Sequence, residues 1–223
     1  MNKEYRGQLK ILYCNHDLIL SHMAEAIVVS ELPMTTCDAL IRGKIEGTLD
    51  ILKSKGLDSI RRKGTVKNLG NAVIGSGHDC FLKGIIFNAV ISAPSYWYPQ
   101  MQRYHFIDII SSQSKMHKIT EMDFSTQCIP EVSTKVIDHL NELIEIFNNV
   151  SKEHKEDAFR KIIANCPMGL CLTCGITTNY LQLKGMYNQR KNHKLAEWSE
   201  DFVEWAESLP YFKELCLANK DVK

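Results

Sequence analysis

No stretch of this 223-residue chain reaches the roughly 18 apolar residues of a helical membrane span. Charge of one sign is missing too: 27 Lys and Arg stand against 26 Asp and Glu, a net +1. That balance excludes a broad electrostatic nucleic-acid surface and leaves room for a local anion pocket. The charged residues 1–14 lack the apolar run of a secretory signal. A cytoplasmic protein is expected, a phage protein in its host's cytoplasm included. There is no phosphate loop of the Walker type: Gly70, Gly75, Gly77 and Gly84 lack its spacing and its closing Lys-Ser/Thr. Cys171-x-x-Cys174 has no second CxxC, and Cys166 is its one close companion. On a strand, residues three apart point to opposite faces, which is poor geometry for a shared metal. No metal is expected, and the eight cysteines read as reduced, buried thiols without a marked nucleophile. Repeats and low-complexity linkers are absent. The chain is long enough to bury a core without staples.

What is present concentrates in residues 94–117, PSYWYPQMQRYHFIDIISSQSKMH. Gln100, Arg103, His105, Ser111, Ser112, Gln113, Ser114 and Lys115 alternate there with Tyr96, Trp97, Tyr98, Phe106, Ile107, Ile109 and Ile110. A core segment would not carry so many hydrogen-bonding groups, nor a solvated face so many aromatics. A pocket wall does both.

Around that stretch the pattern predicts strands at 10–14, 85–93 and 170–178, from their short β-rich apolar runs. Helices are expected at 16–32, from Asp38 to about Lys55 with Thr36 or Asp38 as cap, and at 131–150 with Val132, Val136, Leu140, Leu143 and Phe147 as its stripe. Gly56 is placed to end the second of these. Further helices are expected from a Ser151 cap to 165, at 179–189, at 194–209 with Leu195, Trp198, Phe202, Trp205 and Leu209 inward, and beyond Pro210. Residues 96–104 read as a short helix leading into 106–118. Residues 120–130 and the glycine-rich 68–84 read as loops, and Arg61, Arg62 and Lys63 as a solvated basic turn or a lip around an anionic ligand. The sum is one α+β domain over 1–223, with a small central antiparallel sheet and surrounding helices.

Arg103, Lys115 and Arg190 are the cations suited to a phosphate, because the guanidinium fork matches its oxygens and lysine adds a point charge. The amide of Gln100 suits a base edge, and Ser111, Ser112 and Ser114 a phosphate or sugar. The competing reading is a set of surface ion pairs and caps. His105 and His78, the latter beside Asp79, are proton-transfer candidates or packed, satisfied residues.

These residues resemble the flavin-dependent thymidylate synthases, as a divergent, phage-like homologue. That family carries a strand ending in Ala-Pro, a Gln, an Arg-His-Arg signature and a Ser-Gly-Arg. Here Ser92-Ala93-Pro94 is followed by Gln100, by Arg103-Tyr104-His105, and by Lys115 where the Arg of Ser-Gly-Arg stands. Downstream, Pro167, Asn179 and Arg190 match the family's Pro, Asn and Arg spacing, and Ala196-Glu197-Trp198 its Ala-Gln-Trp. The resemblance covers about a third of the chain. It implies a homotetramer with active sites between subunits, binding a pyrimidine deoxynucleotide such as dUMP over FAD. Gln100, Arg103, Ser114, Lys115 and Arg190 would hold the nucleotide; His105, Asn179 and His78 would lie on the flavin side. Methylenetetrahydrofolate and a reduced nicotinamide cofactor would be cosubstrates of a methyl transfer to C5 that needs no protein nucleophile. The departures are Tyr104 for the signature's His, His105 for its last Arg, Leu181 for an Arg, and Lys83-Gly84 for a His. They fall mostly on the flavin side. The alternatives are a nucleotide-binding regulatory protein on the same fold, without catalysis, and an unrelated α+β interaction protein. The last would lack a nucleotide-sized cleft joining Arg103 and Arg190.

Overall fold

A computed structural model describes residues 7–29, 32, 37–61 and 63–218. Four strands form one antiparallel sheet in the order β1-β2-β4-β3: β1 Lys10–Cys14, β2 Ile86–Pro94, β3 Ile107–Ser112 and β4 Cys171–Asn179. The centre is the β2–β4 pair, in register from Ile86 opposite Asn179 to Pro94 opposite Cys171. Strand periodicity sorts the side chains. Phe87, Ala89, Ile91 and Ala93 of β2, with Cys174 and Ile176 of β4, enter the main core. Asn88 is exposed on the other face.

Helices α1 (His16–Val29), α2 (Asp38–Ser54), α3 (Lys63–Gly70) and α9 (Tyr180–Arg190) surround this core, with α10 (Val203–Ser208) and α11 (Phe212–Cys216). Helix α1 packs on β2 and α9 on β4. Between β3 and β4 lie the short helices α5 (Lys115–Lys118) and α6 (Phe124–Gln127) and the hairpin of α7 (Thr134–Asn149) and α8 (Lys155–Ala164). These close a second core of Ile119, Met122, Phe124, Leu140, Leu143, Ile162 and Leu170. A one-turn helix, α4 (Tyr98–Met101), with proline in its first turn, follows β2. No described helix is long and apolar enough to cross a membrane.

Several local expectations need correction. Strand β3 arises in 106–118, where no strand is evident from pattern, because a bulge between Ile109 and Ser111 breaks its alternation. The 120–130 loop contains α6, nucleated by the Asp123 carboxylate accepting from Ser125 N–H. In 68–84, α3 ends at Gly70 and a 3₁₀ turn forms over Cys80–Gly84. Cys37, without a side-chain bond, is the residue before α2; Asp38 lies inside its first turn. Thr36 and Arg62 fall outside the described residues. Gly56 follows α2 with φ of 80°, a left-handed backbone that glycine adopts freely, and its N–H donates to Ile51 C=O. Ser151 turns its hydroxyl to His154 Nδ1 ahead of a 3₁₀ turn, and α8 begins only at Lys155. The expected helix at 194–209 is a π-helix over Glu197–Phe202 continued by α10. Cys37 and Cys80 are exposed rather than buried. Burial does push the Cys14 and Cys128 thiols up to about 11, and those of Cys166, Cys171 and Cys174 upward, which makes them poor nucleophiles near neutrality.

One pairing has no counterpart in the sequence reading. Asp79 and Lys184 are both buried, and Lys184 Nζ donates to Asp79 Oδ2 at 2.7 Å, to Gly70 C=O at 2.8 Å and to Ala72 C=O at 2.6 Å. The glycine-rich loop is thereby tied to α9.

Candidate functional site

The geometry of the cleft follows from two crossings. Strand β4 runs directly into α9, where the Asn179 side chain accepts from Gln182 N–H at 2.8 Å and caps the helix. The chain entering β3 is fixed against the same corner. Phe106 N–H donates to Gln182 Oε1 at 3.2 Å, and Thr178 Oγ1 donates to Phe106 C=O at 2.7 Å. Residues 103–105 are thus held beside the end of α9. Arg103, Tyr104, His105, Gln182, Gln189 and Arg190 line an open cleft of about 600 Å³.

Arg190 is anchored from below by the aromatic cluster. Trp97 and Trp198 stack with centroids 4.5 Å apart, and the guanidinium lies over Trp198 at 4.6 Å. Arg190 Nε donates to Tyr104 Oη at 2.6 Å, and Nη1 donates to Gln100 Oε1 at 3.2 Å. The same Gln100 oxygen accepts from Trp198 Nε1 at 3.1 Å. Two donors on that oxygen fix the orientation of the amide. His193 sits edge-on to Trp198; burial first, then the Arg190 cation, pushes its pKa below the usual value. Among the described residues no carboxylate pairs with Arg103 or Arg190. Two uncompensated guanidinium groups among three glutamine amides are suited to an anion with oxygen acceptors.

The structure therefore brings together Gln100, Arg103, His105 and Arg190. Ser114 and Lys115 are not among the residues lining this cleft. Lys115 lines an adjacent hollow of about 290 Å³ with Pro99 and Gln102, the neighbours of Gln100 and Arg103, and with Tyr98, Gln113 and Thr173. Ser114 caps α5, its hydroxyl accepting from His117 N–H, and Gln113 Oε1 accepts from Thr173 N–H. Ser111 and Ser112 are exposed on β3.

Of the three side chains that the resemblance gives to a flavin, His105 and Asn179 lie at this corner and His78 lies apart from it within one chain. His105 lines the cleft. Asn179 is buried and holds the helix cap with its oxygen. His78 is exposed in the glycine-rich loop, outside the cleft lining. Leu181, where the family has an arginine, packs against the main core. Sequence reasoning missed Tyr104 as a partner of Arg190, and Gln182 and Gln189 as lining. The signal for the glutamines was spacing: residues 182, 189 and 190 lie near one another on a helix of 3.6 residues per turn.

No family model and no curated protein matches the sequence. Similarity lies in three dimensions. A crystal structure of thymidylate synthase X from Helicobacter pylori with FAD and dUMP aligns with a TM-score of 0.57 at 12% identity, over 92% of this chain and 94% of that one. A second, described as the flavin-dependent thymidylate synthase of the same bacterium complexed with FAD and dUMP, gives 0.55 at 12% identity, over 92% and 95%. The chain has the α+β fold of the flavin-dependent thymidylate synthases, as the motif resemblance implied.

Proposed function

We propose that this protein is a thymidylate-synthase-like enzyme that binds a pyrimidine deoxynucleotide such as dUMP in the Arg103–Arg190 cleft and acts at C5 of the base. The observation that carries the reading is the cleft itself: two arginines without carboxylate partners among the described residues, one of them braced by Gln100 and Trp198. Its place on a fold whose solved neighbours hold dUMP supports the same reading. A structure without a cleft joining the two arginines would have supported the unrelated-protein reading. Arg103 and Arg190 bind and orient the phosphate through their planar forks of charged donors. The Gln100 amide, its oxygen occupied, offers its N–H groups to an acceptor. Lys115 borders the neighbouring hollow rather than the cleft, and a homotetramer with sites between subunits, as the resemblance implies, is part of this reading.

A flavin, where bound, supplies the hydride for such a reaction, with methylenetetrahydrofolate as carbon donor and a reduced nicotinamide cofactor as reductant. His78 lies outside the cleft lining within one chain, and Leu181 stands where the family has an arginine. Leu181, packed against the core, favours a second reading: the fold keeps its nucleotide and has lost the chemistry, as a sensor or regulator.

Calorimetry with dUMP, and tritium release from C5-labelled dUMP with flavin, methylenetetrahydrofolate and reductant supplied, separate these. Release supports the enzyme. Binding with neither release nor retained flavin supports the regulator. Failure to bind any nucleoside monophosphate overturns both.

A further inference from the structure

Tyr104 stands where the related synthases have the histidine of their signature, and the resemblance placed that change on the flavin side. The structure turns its hydroxyl the other way. Tyr104 Oη accepts from Arg190 Nε at 2.6 Å and donates to Gln189 Oε1 at 3.1 Å. The ring is half-buried, edge-on to Trp198 at 6.4 Å, with the Arg190 guanidinium 5.4 Å from its centroid. Both functions of the hydroxyl, acceptor and donor, are directed at the end of α9.

This has a specific effect on Arg190. A guanidinium carries five N–H donors in a fixed plane. Tyr104 takes the one on Nε, and Gln100 takes one on Nη1. The three that remain all lie on the two terminal nitrogens. With one face over Trp198, the group is constrained in tilt by the indole and in rotation by its two acceptors. A flexible arginine would lose that freedom on binding an anion. Here the loss is met in the free protein, which raises affinity.

We propose that Tyr104 is a positioning residue for the anion: its hydroxyl, rather than its ring, holds Arg190 so that the terminal nitrogens face the cleft. This role rests on the nucleotide reading above. It makes the Tyr104 substitution part of nucleotide recognition and not a vestige of a lost cofactor contact.

The test is a double-mutant cycle on the full chain, titrated with dUMP by calorimetry. Tyr104→Phe keeps the ring packing and removes only the hydroxyl. It is expected to weaken dUMP about tenfold, a usual effect of losing one hydrogen bond to a charged group. The salt dependence of binding should stay as in the wild type, because the Arg190 charge remains. In an Arg190→Ala background the same change should add nothing, since the group it positions is gone. Wild-type affinity in Tyr104→Phe, or an undiminished further loss in the Arg190→Ala background, overturns the role while leaving the nucleotide reading intact. A wild-type protein that binds no dUMP overturns the nucleotide reading. The geometry is checked without ligand by the Arg190 Nε–H proton resonance: slow exchange in the wild type and fast exchange in Tyr104→Phe are expected, and equal exchange counts against the anchor.

Discussion

Replacing Asp79 by alanine should be among the most damaging single changes outside the cleft. Lys184 retains only 3% of its exposure and Asp79 1%. All three ammonium donors are used, two on the Gly70 and Ala72 carbonyls and one on Asp79. Asp79→Ala leaves the two carbonyls as partners and removes the only countercharge the cation touches among the described residues. Removing one member of a buried pair costs about 3–5 kcal/mol, a large share of the roughly 5–15 kcal/mol that holds a domain folded. Lys184→Met should cost a similar amount, for it strands the carboxylate. The double variant should be less destabilised than the sum of the two, because neither charge is then left unpaired. Urea unfolding followed by circular dichroism measures this, with an unchanged slope showing that the denatured state is comparable. A loss below about 1 kcal/mol for Asp79→Ala, the range of exposed pairs, would refute the reasoning. So would full additivity in the double variant.

Other outcomes follow from single contacts. Arg190→Ala should weaken dUMP binding about tenfold to a hundredfold by removing a charge-assisted donor set; unchanged affinity in the folded variant takes Arg190 out of the site. Gly70→Ala would set a methyl 2.5 Å from the Leu215 carbonyl oxygen, so α3 and α11 must separate. A loss of about 1–3 kcal/mol in thermal melts is expected, and an unchanged melt would show that the contact yields freely. Burial, against the Leu9 N–H bond and aided by Glu197, Glu200 and Glu204, pushes the Asp201 carboxyl up to about 6. The folded chain then holds this proton more tightly than the unfolded chain, whose value is roughly 4. Stability from this group is therefore greatest below that value and falls as pH rises through 6. For a half-buried carboxylate screened by solvent the fall is roughly 1 kcal/mol, and Asp201→Asn should flatten it in melts from acid to neutral pH. A slope retained in that variant assigns the titration elsewhere.

The central strands were legible because 85–93 and 170–178 are short, β-rich runs that owe little to distant partners. Strand β3 was not, since its bulge shifts the alternation at Ile110 and most of its residues are exposed. In the site, Gln100, Arg103 and Arg190 were found through motif spacing, and the structure joins them in one corner. The spacing could not show that Lys115 borders the adjacent hollow instead, because the path of an unrecognised strand is invisible to it. Asn179 was assigned to a ligand by the same spacing, yet its local chemistry, an asparagine opening a helix, already described a cap. Lys184 offered a fainter sign. It shares the buried face of α9 with Tyr180, Leu183 and Tyr187, where a lysine requires a partner. That partner lies 105 residues away, beyond the reach of any local pattern.

The π-helical segment Glu197–Phe202 places an unusual demand on chain length. A π turn contains one residue more than an α turn, and each residue of an ordinary helix advances the side chains by about 100°. In the first turn of the segment Trp198 is clamped between Trp97 and Arg190. Beyond its end, Trp205 packs against Phe87 at the centre of the sheet. Deleting one residue between them would restore regular helix and swing one of the two indoles out of its socket. The residue count of this stretch is gauged against both ends. An indel here is read by the cleft and by the core at the same time.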